Sequence, residues 1–520
     1  MQFIDTTYSS IGIRKLGLSQ PGASAWRGGR DQKSCSTTPD GSGAQLSASA
    51  RPSDSLNKGG FMHRFLIALL VCAGLFALAN VSEAQQLKIV TGYLTPGNTV
   101  TFHSRVPNNS ALDTIYEISG DYNISGTLVV QEGAEVQFLP NSRIIDSTCG
   151  KIIANGYTGS QRRILFRGEP VNANSYEWGH FLVLPGADSV FFANVRFVNF
   201  RKRTSVDVTP IFDPSIVGDA AYSASINLAA NGNGGVMTTF SHKTFLYNVI
   251  VDSCQTSFRG GAFAFLQAPT NALGSDCDDV PNVNDDGRIA LANSQVRWLV
   301  IRDTRCFNNE TGTYTDANAD GGAIYMASNN ENLAPGNYVL GYLGNRPGPF
   351  FADSSDVMVF ERCTANNTFT TAGSFAKGGA VYVGSNTGLV VSQGTFNSNS
   401  AINATDANAW GGAIAVSPTS VNPAQVPPGV GIIPGTDRLP GLAVLKTATF
   451  AGNSAGIGGA IYMGFSLAYT RMPLLDVDGE NINPLTGVRD SGLIAFNHNI
   501  AYIKGGAIYS ASRTFITGYL

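Results

Sequence analysis

Between Ile118 and Gly168 the apolar residues come in short alternating runs. Thr127-Leu128-Val129-Val130, Val136-Gln137-Phe138-Leu139, Lys151-Ile152-Ile153-Ala154 and Ile164-Leu165-Phe166 follow one another, with Gly, Pro or Asn between them. A two-residue period of β-branched and aromatic residues, broken by turn formers, predicts half-buried strands. No stretch keeps a helical period over about twelve residues.

One apolar run differs. Phe65 to Ala79 is continuously hydrophobic, follows Met62-His63-Arg64 and precedes Ser82-Glu83-Ala84. A basic start, a short apolar core and small residues at the end read as a secretory signal peptide over 62–84, cleaved after Ala84. A membrane anchor would need ~20 apolar residues. Residues 1–61 are rich in Ser and Gly and lack a hydrophobic period. Met62 is therefore expected to be the true initiator, with 1–61 an upstream or disordered extension.

Further along, a Gly-Gly-Ala-apolar signature occurs six times. The glycine pairs are Gly260-Gly261, Gly321-Gly322, Gly378-Gly379, Gly411-Gly412, Gly458-Gly459 and Gly505-Gly506. A Phe or Cys followed three residues later by Asn or Ser precedes each: Cys254/Ser257, Cys306/Asn309, Cys363/Asn366, Phe396/Asn399, Phe450/Asn453 and Phe496/Asn499. Successive pairs are 61, 57, 33, 47 and 47 residues apart. A coil of ~20–25 residues would make each period two coils. Longer periods are expected to carry looped insertions at 267–290, 328–353, 417–440 and 466–491, which are rich in Pro, Asn, Asp and Gly.

Stacked strands lie ~4.8 Å apart, so equivalent residues form ladders. The Phe is expected to fill the interior, the Asn to bond backbone at a turn, and Gly-Gly to allow positive φ and close approach. On this reading Cys254, Cys306 and Cys363 occupy the Phe slot two coils apart, beyond the ~7 Å reach of a disulfide. They are expected to be buried free thiols.

Composition narrows the class. Of 520 residues, 43% are apolar and 14% charged, with 59 Gly. Average domains have roughly 25% charged residues and about 7% Gly. The apolar content excludes a disordered polyelectrolyte, and the low charge excludes a coiled coil. Net charge is −3, and −6 without residues 1–84 (26 basic, 32 acidic). A nucleic-acid partner would need a basic patch that this balance does not supply.

Two resemblances follow from these residues. The run from Ile118 through Glu132-Gly133-Ala134 and Gly150-Lys151-Ile152-Ile153 to Trp178-Gly179 resembles the opening coils of secreted right-handed parallel β-helices. The Gly-Gly-Ala-Ile and Phe-x-x-Asn motifs over about 245–510 resemble the repeats of chlamydial polymorphic outer-membrane proteins. This chain departs from them by Cys for Phe in three repeats and Ser for Asn in one. Autotransporter-type members end in a membrane β-barrel, whereas Leu520 closely follows the last repeat. The resemblance implies an all-β, pectin-lyase-like solenoid with a lead-in or cap at 85–117, opening coils at 118–240 and the repeat β-helix at 241–520. A C-terminal cap or anchor is expected beyond it. It also implies an adhesive or passenger role at a bacterial surface, with a surface receptor or glycan as partner.

Candidate chemistry is sparse. Asn282, Asn284 and Asp286 stand at positions 1, 3 and 5 of a calcium-loop pattern, followed by Gly287. Asn at position 1 and Asn293 at position 12 would make such a site weak; no other cofactor is expected. Asp303 with Arg302, Asp353/Asp356 and Asp476/Asp478 are the carboxylates a carbohydrate-active β-helix enzyme could use. They form no recognised signature. His103, His180, His242 and His498 have no metal-binding spacing. The expected function is non-enzymatic, the alternative being a polysaccharide lyase or glycoside hydrolase.

Overall fold

Strands in this chain pair with the strand one turn later. Phe263–Gln267 lies beside Ile324–Ser328, then come Val381–Val383, Ile414–Val416, Ile461–Met463 and Ile508–Ser510, all parallel and in register. A second column runs through Ser189–Val198, Thr244–Asp252, Gln295–Arg302, Val357–Glu361, Thr387–Asn397, Leu442–Ala451 and Ile494–Asn497. A third runs from Arg201–Lys202 through Arg305–Asn308 to Ile500–Lys504. Among the described residues these columns belong to sheets of 25 and 11 strands. Among the described pairings two are antiparallel, Arg201–Lys202 with Glu177–Trp178 and the hairpin Glu480–Ile482 with Arg489–Ser491. The fold is a parallel β-helix; the alternation predicts its strands, and the β-helix resemblance implies their parallel stacking.

The computed structural model describes residues 86–106, 113–147, 149–157, 161–168, 177–184, 187–202, 233–240, 243–257, 259–267, 295–308, 318–328, 341–343, 357–368, 374–384, 387–416, 442–464, 474–477, 480–482, 489–491 and 493–511. All belong to the unit Val81–Leu520. The expected leader and the calcium-loop residues Asn282, Asn284 and Asp286 lie outside them, as do Asn309, Asp353, Asp356 and Asp478.

The expectation of two coils per repeat is corrected. Ile324 pairs directly with Phe263, and Val381 with Ile324, so no coil intervenes between Gly-Gly-Ala motifs. One repeat is one coil. The long periods arise because extra residues, such as 268–294, separate strands along the chain rather than adding a level to the stack.

The core is the inside of this stack. Phe360, Phe396 and Phe450 are buried and stand in register with one another and with half-buried Phe496. Their rings stack at 5.0, 4.7 and 5.0 Å, within 14° of parallel. In earlier coils Ile301, Val251, Phe197 and Phe166 continue the column. Burying such side chains stabilises a fold by about 1.5–3 kcal/mol each.

Candidate functional site

The two glycines of each repeat answer different demands. The first has positive φ: +67° at Gly260, +69° at Gly321, +65° at Gly378 and +67° at Gly411, Gly458 and Gly505. The second meets the next coil. A Cβ on Gly261, Gly322, Gly379, Gly412 or Gly459 would lie 2.0–2.2 Å from the carbonyl oxygen of the next second glycine. A Cβ on Gly506 would meet nothing within 4 Å. A seventh pair, Gly234-Gly235, has the same geometry, with φ +64° at Gly234 and Gly261 O at 2.1 Å from a Cβ on Gly235. Val236 follows it in place of Ala, which hid it in the sequence.

The Asn residues form a saturated ladder. Asn399 Oδ1 accepts the Cys363 N–H at 2.9 Å. Asn399 Nδ2 donates to Phe360 O at 3.1 Å and to Asn453 Oδ1 at 3.0 Å, while the Asn399 N–H also donates to Asn453 Oδ1 at 3.0 Å. Asn453 repeats the pattern, donating from Nδ2 to Phe396 O at 3.0 Å and Asn499 Oδ1 at 2.8 Å, and from its N–H to Asn499 Oδ1 at 3.1 Å. Asn499 Nδ2 donates to Phe450 O at 3.0 Å. Each oxygen caps a backbone N–H of the preceding coil, and each amide reaches back to a Phe carbonyl.

The assignment of the first three repeats is corrected by register. Thr364 pairs with Ser400, which places Cys363 level with Asn399. Arg305 pairs with Gln255 and Thr364, so Cys254, Thr304 and Cys363 form one column that continues into the Asn ladder. These cysteines stand in the Asn slot, and Val251, Ile301 and Phe360 fill the Phe slot. Cys306 is in another column, level with Thr256 and Ala365. Asn366 pairs with Phe307 and Ile402 and is half-buried, off the ladder. Ser257 is buried but likewise lies three residues beyond the slot residue.

Cys254, Cys306 and Cys363 are free and buried, and Cys149 is disulfide-bonded. Thr304 separates Cys254 from Cys363, which leaves them two coils or ~9–10 Å apart. Burial pushes the Cys363 thiol up to about 12, and raises Cys254 and Cys306 as well.

The column just before the ladder is left-handed. Asn199, Ser253, Asp303, Arg362, Ser398, Gly452 and His498 all have φ between +52° and +63°. Around Asp303 and Arg362 a cavity of about 270 Å³ is lined also by Ser253, Gln255, Arg305 and Thr364. Arg362 grips Asp303 in a bidentate pair at 2.6 and 2.9 Å. That hydrogen bond lowers the Asp303 pKa. Arg305 Nε donates to Gln255 Oε1 at 2.8 Å. Arg302, the expected companion of Asp303, instead pairs with Glu361 at 3.3 Å.

A second outward feature lies at the bend within the long strands. Asn194 (φ 54°), Asn248 (φ 54°) and Trp298 (φ 55°) occupy one left-handed column in three successive coils. Asn248 Nδ2 donates to Asn194 Oδ1 at 3.2 Å and to the Tyr157 hydroxyl at 2.9 Å. Arg163 clamps Asn248 from beneath, donating to its carbonyl at 3.0 Å and its Oδ1 at 3.1 Å. Tyr157 is 45% and Trp298 52% exposed. Sequence reasoning missed this row, because the residues are 37, 54 and 50 positions apart and only the coil register aligns them.

The described histidines are not brought together, and His242 lies outside the described residues. His103 Nδ1 is 3.1 Å from Gln131 Oε1, His180 is fully buried, and His498 is in the left-handed column. Among the described residues no group of three or more His, Cys, Asp or Glu side chains is placed to hold a metal. Among them, too, no helix is long and apolar enough to cross a membrane. No family model, curated protein or solved structure matches this chain.

Proposed function

We propose that this chain is a secreted, non-enzymatic β-helix with repeats of the polymorphic-outer-membrane type, displayed at a bacterial surface as an adhesive or structural element. One observation carries the reading. The repeated residues turn the chain, fill the interior or cap backbone groups, so the motif itself is scaffold. What differs between coils is the outward side chains, such as Tyr157, Trp298, Asp303 and Arg362, and the segments between strands. In a solenoid each coil contacts its neighbours and adds a strip of lateral surface, an architecture suited to extended binding faces. A surface receptor or glycan is the partner this implies.

Beads coated with the purified secreted chain should attach saturably to cultured epithelial cells and release no oligosaccharide from plant or bacterial polysaccharides. Attachment no better than albumin-coated beads would overturn the adhesive reading. Steady release of unsaturated or reducing sugar would replace it with the enzymatic one.

A further inference from the structure

The Trp298 backbone is the least expected feature of the outer surface. Its φ of 55° is left-handed, a region that Asn tolerates and a bulky aromatic residue does not. The two preceding coils place Asn194 and Asn248 there. Trp298 gains little burial in return, since it is 52% exposed. Among the described residues it makes no ring stacking and no hydrogen bond. Strain kept without a packing return is a mark of binding sites.

The surroundings define the ligand. Trp298 is one strand spacing, ~4.8 Å, from Asn248. Asn248 donates to the Tyr157 hydroxyl, which leaves the phenol's own proton free to point outward. Asn248 is itself held by Arg163 and Asn194, so this amide is fixed before any ligand arrives. Two exposed aromatic side chains flank an amide. Aromatic faces are electron-rich and attract the polarised C–H bonds of an apolar sugar face. Amide and phenol groups supply hydrogen bonds to its hydroxyls. Among the described side chains the nearby guanidinium groups are already engaged: Arg163 by Val195 O and Asn248, Arg196 by Asp252 at 2.8 Å. An anionic ligand would find no unpaired cation among these residues.

From this we infer that Tyr157, Asn248 and Trp298 form a binding site for a neutral oligosaccharide, its pyranose rings lying along the solenoid axis. The inference rests on the solenoid being a displayed binding surface, and names what this strip of it recognises.

The test uses the secreted chain and three probes: chitotetraose, lacto-N-neotetraose and a heparin tetrasaccharide as the charged control. At least one neutral probe should bind by calorimetry, with chemical-shift or saturation-transfer contact to indole protons. Trp298→Asn should weaken that binding at least tenfold while raising Tm, because it extends the Asn column and relieves strain. Tyr157→Phe should weaken it severalfold at unchanged Tm. Ile402→Ala, exposed on another column, should change nothing. Retained binding in Trp298→Asn, preference for heparin, or no binding of either neutral probe would overturn the site. If cells still attach to beads in that case, the adhesive reading survives; if attachment is also absent, both fall.

Discussion

Replacing Asn453 by Ala probes the ladder where it is most enclosed. Asn453 is fully buried and makes four side-chain hydrogen bonds, two to Asn399, one to Phe396 O and one to Asn499. The substitution orphans the Asn399 N–H and takes one of two donors from the Phe396 carbonyl, which keeps its ladder partner in the Ala451 strand; Asn399 Nδ2 keeps Phe360 O, and Asn499 Oδ1 keeps the Asn453 N–H. Leaving the buried Asn399 N–H unsatisfied costs about 1–3 kcal/mol, and losing the bond to Phe396 O adds ~1 kcal/mol, so the expected loss is about 2–4 kcal/mol. Asn499→Ala removes the same kinds of bond from a half-exposed position, where water can replace them, and should cost no more than about 1–2 kcal/mol. Urea titration followed by tryptophan fluorescence and circular dichroism gives both values, with m reporting whether the stack still unfolds as one unit. Amide exchange at Asn399 should accelerate in Asn453→Ala. Equal losses for the two variants, or a loss under about 1 kcal/mol at Asn453, would refute the claim that these amides secure the coils.

Other expectations follow from the same geometry. Cys363→Asn should be neutral or stabilising in urea, because the slot continues the ladder and an amide there can reach Ile301 O, which the Cys363 thiol approaches at 3.6 Å. Gly412→Ala should destabilise the stack strongly, since its Cβ would lie 2.1 Å from Gly459 O, whereas Gly506→Ala should be tolerated. Cys254, Cys306 and Cys363 should resist a thiol reagent in the native protein and react once it is unfolded; fast native labelling of any of them would contradict their burial. Asp146 is fully buried with neither oxygen bonded, and burial, then Asp188, raises its pKa well above the usual range. Its folded state favours the proton, so its stabilising contribution is complete below about pH 3.9 and is lost as pH rises through the folded value. Burial, with Lys202 and Arg143, lowers His180, whose contribution is present above about pH 6.5 and lost as pH falls toward its folded value. Asp146→Asn should raise Tm at pH 7 and leave it unchanged near pH 3.5, while His180→Val should remove the loss below pH 6.5; the reverse pattern would defeat both assignments.

The strands and the glycine turns were legible because their demands are local. Alternation shows which face is buried, and the close approach of the next coil's carbonyl excludes a Cβ at the second glycine of each stacked pair. The slot assignment was not legible in the early coils. An interior position accepts Val251 or Ile301 as readily as Phe360, since packing needs apolar volume more than one side chain. Cys254 then looked like the missing Phe, when register places it with the Asn ladder. Coil length misled for another reason: inserting residues between strands changes the period without changing the stack. The Tyr157–Asn248–Trp298 row needs that register before it exists at all.

One repeat per coil has an evolutionary corollary. Phe360, Phe396, Phe450 and Phe496 present near-identical edges above and below. Unequal recombination between two repeats would delete or duplicate a whole coil and rejoin compatible surfaces, because the level above any Phe-x-x-Asn turn matches the level beneath the next. Such a gene can change the reach of its product, and the set of outward faces it carries, in single steps that leave every ladder continuous.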